Sequence, residues 1–246
     1  MMMHRIIGFI YGVLCYVVFF ASFLYAVGFI GNFLVPKSLD SEVTVGLPVA
    51  LLINGALLAL FALQHSVMAR PAFKRMWVEW VPPLLERSTY VLFSSVALIL
   101  VFVFWQPLGG SIWDIQNTLL STGLYLFFAL GWLLVLASTF AINHFDLFGL
   151  RQSWFYWRGL EYVPLAFKEP LLYRFVRHPL YVGWFIVFWV TPSMSASHLF
   201  FAVMTSAYIL LAIRFEEKDL CDMHPEYEEY RKTTPMLIPR FKRAQQ

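Results

Sequence analysis

The stretch Arg-His-Pro-Leu-Tyr-Val-Gly, from Arg177 to Gly183, places two titratable side chains directly before an apolar run. The residue before a proline is disfavoured from the α region, whereas proline suits the first position of a helix. We therefore predict a helix that begins at Pro179, with Arg177 and His178 just before it. Free backbone N–H groups at a helix start favour an anion, so this stretch predicts an anion-binding site. The alternative is that Arg177 is only the basic flank of a membrane helix.

Carboxylates follow about 35 residues later, in the stretch "RFEEKDL". Helical spacing places Arg214, Glu217 and Lys218 on one face, with Glu216 pointing elsewhere. Carboxylates can hold ribose hydroxyls, and aromatic faces can hold a sulfonium through cation–π attraction. An anion-binding helix start, carboxylates and aromatic rings together suit a zwitterionic cofactor with a carboxylate, a ribose and a cationic centre.

A third cluster lies in "NHFDLFGLRQ", directly after a long apolar segment. Its polar residues are Asn143, His144, Asp146, Arg151 and Gln152, and they alternate with apolar residues that include Phe145, Leu147, Phe148 and Leu150. We predict a loop that folds back over a cavity, lining it with the polar side chains and closing it with the apolar ones. The alternative is an interfacial amphipathic loop, anchored by Trp154, Tyr156 and Trp157.

Polar residues also mark one membrane segment. Asn54 and His65 lie on one helical stripe, with Gln64 beside the histidine. Such residues in a membrane helix generally face the bundle interior or a water-filled cavity, although a histidine at a helix end can also lie in the headgroup layer. Glu86 and Arg87 are expected to precede the third helix, where local pairing or capping explains them.

The composition identifies the class of protein. The chain is 60% hydrophobic and only 13% charged, whereas soluble domains carry about 25% charged residues. Apolar segments of roughly 20 residues can span a bilayer. We predict an all-α, polytopic membrane bundle of five to six segments, in which the last two are short and form a tilted hairpin. The segments are 6–35, 45–68, 90–105, 119–142, 180–190 and 199–213.

The basic residues predict the orientation. With the amino terminus inside, the outer loops are 36–44, 106–118 and 191–198, and Lys37 is their one basic residue. The other 17 of the 18 Lys and Arg residues fall on the opposite side. This distribution predicts that both termini are cytoplasmic. We expect the membrane to be the bacterial inner membrane. The net charge of +3 is thus a topology signal and predicts no nucleic-acid partner.

We expect a single membrane domain over 1–246, with four helices in 1–142 and the catalytic loop, cofactor-binding hairpin and tail in 143–246. The first segment is too long for a signal peptide and is expected to be retained. Cys15 and Cys221 lie in different environments, and the six histidines lack ligand spacing. The sequence therefore predicts neither a disulfide nor a metal site.

Three stretches carry a resemblance to a known family. "RHPLYVG", "RFEEKDL" and "PEYEEYRKTTPMLIP" resemble the isoprenylcysteine carboxyl methyltransferase and phospholipid methyltransferase superfamily over about residues 170 to 240. "QHSVMARPAFK", "ERSTYVL" and "NHFDLFGLRQ" are similar to its methanethiol S-methyltransferase family, membrane enzymes that make dimethyl sulfide. The resemblance implies S-adenosylmethionine as cofactor and a small thiol as substrate. It implies a cytoplasmic cofactor pocket lined by Arg177, His178, Pro179, Leu180, Tyr181, Gly183, Arg214, Glu216 and Glu217.

Methylation of a thiol requires the thiolate, and an alkanethiol is scarcely ionised near neutral pH. A histidine is the default base for removing that proton. His144, with Asp146 and Asn143 beside it, is the first candidate and His65 the second. Gln64, Phe145, Arg151 and Gln152 are expected to bind the substrate. In the alternative arrangement the positive sulfonium of the cofactor itself lowers the thiol pKa, and no protein base is needed.

Three other functions remain open from the sequence. A methyltransferase for a prenylcysteine or lipid would share the cofactor half. A membrane reductase of the sterol-reductase type would bind a nicotinamide dinucleotide, for which the chain has no dedicated glycine pattern. A non-enzymatic scaffold would explain the hydropathy but not the gathering of polar residues on one side.

Overall fold

The computed structural model describes residues 2–166 and 168–239, which form ten α-helices, one 3-10 helix and two short strands. Five helices of 22 to 30 residues are apolar and long enough to cross a membrane. The predicted all-α polytopic membrane protein is therefore confirmed. The helices are α1 (Met2–Gly31), α2 (Leu47–Ala69), α3 (Pro71–Trp77), α4 (Pro83–Phe104), α5 (Thr118–Ile142), α6 (His144–Leu147), α7 (Leu150–Arg158), α8 (Pro179–Trp189), α9 (Ala196–Met223) and α10 (Glu226–Thr233). The strands are β1 (Ser111–Asp114) and β2 (Ser193–Ser195), and the 3-10 helix is Leu171–Arg174.

The chain divides into two compact units. The first contains α1 to α4, α6, α7, both strands and α9 up to Met204. The second contains α5, the 3-10 helix, α8, the rest of α9 and α10. The "NHFDLFGLRQ" stretch from His144 onward belongs to the first unit, and the "RHPLYVG" stretch belongs to the second.

In the first unit, the short helix α7 packs against α1 and α4. The bend before α7 depends on Gly149, which has a left-handed backbone with φ of 85°. A Cβ atom there would lie 2.7 Å from the backbone nitrogen of Ser88 in α4. Gly149 thus permits both the turn and the close approach that brings the polar stretch onto α4.

Three loops that the sequence places on one side of the membrane meet in the first unit. Asp40 in the first loop accepts a hydrogen bond from Ser195. β2, which contains Ser195, pairs with β1 in an antiparallel register that aligns Ser111 with Ser195. Asn54 near the same end of the bundle hydrogen-bonds both backbone groups of Gln106 at 2.7 and 2.8 Å. These contacts agree with the predicted arrangement of spans.

Two predicted helix boundaries are wrong. The third span was expected at 90–105, but α4 begins at Pro83, so Glu86 and Arg87 lie in its first turns instead of preceding it. The last span was expected to be short, but α9 has 28 residues, because its helix continues through polar residues beyond Ile213. Hydropathy measures the apolar length of a segment, whereas a helix can extend past it into water. α8, with 11 residues, is the short segment of the pair.

In the second unit, α8 begins at Pro179 as the sequence predicted and packs on α5. Gly183 is buried there, and a Cβ atom on it would lie 2.9 Å from Gly131 O and from Val135 N in α5. The close approach that Gly183 permits is thus to the backbone of another helix.

We expect Gly183→Ala to lower the thermal unfolding temperature of the purified protein in detergent. An added methyl group against fixed backbone atoms forces the helices apart and costs about 1–3 kcal/mol. Gly123→Ala in α5 is the matched control, because nothing lies within 4 Å of a Cβ atom built there. Equal unfolding temperatures for the two variants would show that the α5–α8 contact adjusts freely.

Candidate functional site

His144 lies buried among aromatic rings in the first unit, with an exposed fraction of 2%. Its Nε2 atom is 2.9 Å from the hydroxyl of Tyr16 in α1. The ring of Phe148 lies 4.8 Å away and that of Phe145 lies 5.5 Å away, edge to face. Burial lowers the pKa of His144 below its ordinary value of 6.5, because the charged form loses hydration. The imidazole is therefore neutral at pH 7 and able to accept a proton.

Asp146, two residues further on, belongs to an ion-pair network. Its Oδ1 atom lies 2.8 Å from Arg151 Nη1 and accepts a hydrogen bond from the Tyr162 hydroxyl at 2.9 Å. The guanidinium of Arg151 also lies over the rings of Phe155 and Tyr162, 5.1 and 5.2 Å from their centroids. Burial, and then the hydrogen bond to Asp146, raise the pKa of Tyr162, so its hydroxyl stays a donor. The network fixes the polar stretch in one conformation.

Two glutamines in the first unit have buried side-chain oxygens without hydrogen-bond partners among the described residues, Gln64 Oε1 and Gln152 Oε1. Their amide nitrogens are satisfied: Gln152 donates to the backbone oxygen of Asp146 at 2.9 Å, and Gln64 to the sulfur of Met68 at 3.2 Å. A buried acceptor without a donor costs free energy. Both residues were predicted to bind substrate, and both present an atom that a ligand donor would satisfy.

Arg87 and Ser88 hold the polar stretch from α4. Arg87 Nε donates to the backbone oxygen of Leu147 at 2.7 Å, and the Ser88 hydroxyl bonds both Gly149 O and Ser153 Oγ. Sequence reasoning did not treat "LERSTY" as part of a site. The signal it missed is the serine, which is small and polar and completely buried in an apolar helix.

His65 in α2 is brought to the same aromatic region as His144. The hydroxyl of Tyr90 lies 3.0 Å from the His65 ring nitrogens, and Ser94 Oγ lies 3.2 Å from Nδ1. Tyr90 belongs to a hydrophobic cluster against which Phe148 packs. The two candidate bases thus border one cluster, although they are far apart in the sequence.

In the second unit, Glu217 joins the two residues that precede α8. Its Oε1 atom lies 2.7 Å from Arg177 Nε and 3.0 Å from His178 Nε2. All three side chains are nearly buried, with exposed fractions of 12%, 10% and 5%. The sequence placed Glu217 on a face with Arg214 and Lys218, but both of these are exposed. Glu217 instead forms an ion pair with Arg177, which lies 40 residues earlier in the chain.

The same arginine also fastens the carboxyl-terminal part of the chain. Arg177 Nη1 donates to Arg231 O at 3.0 Å and to Thr234 O at 2.6 Å. The backbone N–H of Arg177 donates to Pro235 O, and that of His178 to Met236 O. We call these contacts, together with the Glu217 ion pair, the Arg177 clamp.

Tyr181, in the first turn of α8, donates to Glu216 Oε2 at 2.7 Å. Its ring stacks on His178 with centroids 5.4 Å apart. Glu216 remains half-buried, and no described residue bonds its Oε1 atom. The other predicted residues in this region differ in exposure: Pro179 and Gly183 are buried, Leu180 is half-buried and Arg214 is exposed.

Three tyrosines surround the clamp. Tyr227 and Tyr230 in α10 are buried, with ring centroids 5.5 Å apart, and Tyr230 donates to Tyr173 O at 2.5 Å. Burial raises the pKa of Tyr173, Tyr227 and Tyr230, so all three stay neutral. The region therefore offers the neutral aromatic faces of these tyrosines beside the carboxylates of Glu216 and Glu217.

Within the described residues, no group of three or more His, Cys, Asp or Glu side chains is placed to hold a metal ion. The two cysteines are both free, with Cys15 buried and Cys221 half-buried.

Comparison with known proteins places the chain in a family. It is 58% identical to a methanethiol S-methyltransferase of Crocosphaera subtropica, over 94% of this chain and 91% of the relative. A methanethiol S-methyltransferase of Mycobacterium tuberculosis is 47% identical, over 96% and 98%. Nurim of Xenopus laevis is 31% identical, over 72% and 65%. No family model matches the chain, and no solved structure does. The chain belongs to the methanethiol S-methyltransferase family.

Proposed function

We propose that this enzyme transfers a methyl group from S-adenosylmethionine to a small thiol, above all methanethiol, which becomes dimethyl sulfide. Methylation of hydrogen sulfide to methanethiol would use the same chemistry. The observation that carries the proposal is His144, a buried, neutral histidine among apolar rings. Such a position suits an acceptor that is small and apolar and must lose a proton. The names of the relatives favour a thiol over a prenylcysteine, a lipid or a reductase substrate.

The residues of the second unit fit the proposed cofactor. When bound, S-adenosylmethionine supplies an electrophilic methyl group on a positively charged sulfur. Glu216 has an unbonded carboxylate oxygen that can accept from ribose hydroxyls, and the Tyr181 and His178 rings offer faces to a cation. We propose the predicted set for this role: Arg177, His178, Pro179, Leu180, Tyr181, Gly183, Arg214, Glu216 and Glu217. Arg177 and Glu217 would act by fixing the tail, because they bind each other.

We propose that His144 accepts the thiol proton. In the neutral tautomer whose Nε2 carries the hydrogen and donates to Tyr16 Oη, Nδ1 is the ring nitrogen that holds the basic lone pair. Tyr16 would therefore act as a positioning residue that selects the tautomer. Neighbouring residues would shape the acceptor site, with His65 as the alternative base. They are Gln64, Asn143, Phe145, Asp146, Arg151 and Gln152.

The proposal is tested by incubating the purified protein with S-adenosylmethionine that carries a labelled methyl group. A panel of methanethiol, hydrogen sulfide, a larger thiol and a prenylated cysteine is offered, and the headspace is analysed for volatile sulfides. Labelled dimethyl sulfide from methanethiol is expected. Methylation of the prenylated cysteine alone would contradict a small-thiol acceptor. Binding of NADPH in place of S-adenosylhomocysteine would contradict the cofactor.

We also propose that the protein lies in the bacterial inner membrane with both termini in the cytoplasm. The orientation rests on the basic residues, of which Lys37 alone falls in the proposed outer loops.

Single cysteines test the orientation in a Cys221→Ser background, since Cys15 is buried. We expect a membrane-impermeant thiol reagent to label Ser41→Cys in intact cells and to label Glu161→Cys only after the membrane is opened. Ser41 is partly exposed and Glu161 is exposed, so neither position is hidden inside the protein. Labelling of Glu161→Cys in intact cells would reverse the proposed topology.

A further inference from the structure

The first unit contains a cleft of about 470 Å³ that the proposed methyl transfer does not use. Its lining residues are Met2, Arg5, Trp157 and Arg158. The cleft therefore lies where the beginning of α1 meets the end of α7. Among the described residues that line it, Arg5 and Arg158 carry a permanent positive charge.

The two arginines have no acidic partner in the part of the chain that the structure describes. Arg5 packs against Gly159, where a Cβ atom would overlap its guanidinium. Gly159 ends α7 in a left-handed conformation with φ of 64°. Arg158 lies over the ring of Trp154, 5.8 Å from its centroid. Both charges are thus held in place by neutral neighbours and remain available to an anion.

Aromatic rings pack beside the cleft, near the beginning of α1. Phe9 stacks on Trp157 with centroids 5.0 Å apart, and Trp154 lies edge to face with Trp157 at 4.9 Å. Tryptophan is enriched at the boundary between lipid and water. On α1 the neighbouring side chains of Ile6 and Ile10 are exposed, with fractions of 40% and 51%. The cleft is therefore basic, while the adjoining helix surface is apolar.

We propose that this cleft binds the phosphate headgroup of an anionic membrane lipid, whose acyl chains lie along the exposed face of α1. The phosphate would accept charge-assisted hydrogen bonds from Arg5 and Arg158. Basic pockets at the cytoplasmic ends of membrane helices recognise anionic headgroups in this way. The lipid would fasten α7 to α1, and α7 directly follows the stretch that contains His144.

Native mass spectrometry on the full-length protein in detergent can measure the affinity for phosphatidylglycerol and for phosphatidylcholine. Arg5→Gln combined with Arg158→Gln is the test variant. Each basic residue near an anionic lipid contributes about fivefold, so affinity for phosphatidylglycerol should fall roughly twenty-five-fold. Lys74→Gln combined with Arg75→Gln removes the same charge from α3 and should leave the affinity near that of the unchanged protein. If the double variant fails to fold, Arg158→Gln alone should lose about fivefold.

Three outcomes would overturn the proposal. The first is an equal loss of phosphatidylglycerol affinity in the α3 control variant, which would mean general attraction to a basic surface. The second is that the unchanged protein binds phosphatidylcholine as tightly as phosphatidylglycerol. The third is displacement of phosphatidylglycerol by inorganic phosphate at millimolar concentration, which would assign the cleft to a free anion. None of these outcomes depends on turnover, so they stand apart from the proposed methyl transfer.

Discussion

Replacement of His144 by alanine is expected to lower kcat by about 10² to 10⁴, while S-adenosylhomocysteine binds with nearly unchanged affinity. The rate falls because the thiol loses the group that accepts its proton, whereas the proposed cofactor residues lie in the second unit. Turnover is measured as dimethyl sulfide released, and affinity by calorimetry. Tyr16→Phe removes the hydrogen bond to Nε2 and keeps the ring, so it should lower kcat by less than His144→Ala does if Tyr16 only positions the histidine.

The pH dependence separates a base from a residue that only shapes the pocket. A base must be neutral, so kcat/KM should rise with pH through the pKa of His144, which burial holds below 6.5. Activity should therefore fall on acidification, with a midpoint below the ordinary histidine pKa of 6.5. In His144→Ala the rise should move to higher pH and follow the ionisation of the thiol. A variant that keeps the original profile and most of its rate would eliminate His144 and make His65→Ala the next test.

The second large effect is expected for Arg177→Ala. Removing one partner of a buried ion pair costs about 3–5 kcal/mol, because the other charge is left unpaired. Here the loss would also free the backbone oxygens of Arg231 and Thr234. We expect much weaker binding of S-adenosylhomocysteine and faster cleavage by trypsin at Arg231 and Lys232. Calorimetry and limited proteolysis measure the two effects independently.

Controls for the clamp are available in the same unit. Arg177→Lys keeps the charge but loses the planar fork that serves three acceptors, so it should give an intermediate result. Arg214→Ala removes an exposed arginine and should leave cleavage of the tail unchanged. Unchanged affinity and cleavage in Arg177→Ala would return this residue to the role of a basic helix flank.

Local sequence rules predicted some of these elements well. The start of α8 at Pro179 follows from restrictions that act on adjacent residues. The start of α4 at Pro83 obeys the same rule but was missed, because the apolar pattern was given more weight than the proline. The length of α9 was underestimated because the helix continues beyond Ile213 through polar residues, which hydropathy does not count as part of a span.

Contacts between distant residues were harder to predict. Helical spacing grouped Glu217 with Arg214, whereas the structure joins it to Arg177, because a nearly buried carboxylate requires a fixed donor. Tyr16 was not singled out, since one tyrosine in an apolar helix resembles any other aromatic residue. Its importance depends on His144, which lies 128 residues further along the chain.

The Arg177 clamp has a consequence for biosynthesis. Its acceptors at Thr234, Pro235 and Met236 are translated more than fifty residues after Arg177 itself. During synthesis the second unit therefore holds an arginine whose final backbone acceptors have not all emerged, and the clamp becomes complete only after residues 234–236 have been made. A messenger that stops before codon 234 would direct an inserted protein with all five long apolar helices. That protein would lack the clamp contacts to residues 234–236. Its carboxyl-terminal tail would be exposed and unattached, and quality-control proteases could therefore cleave it.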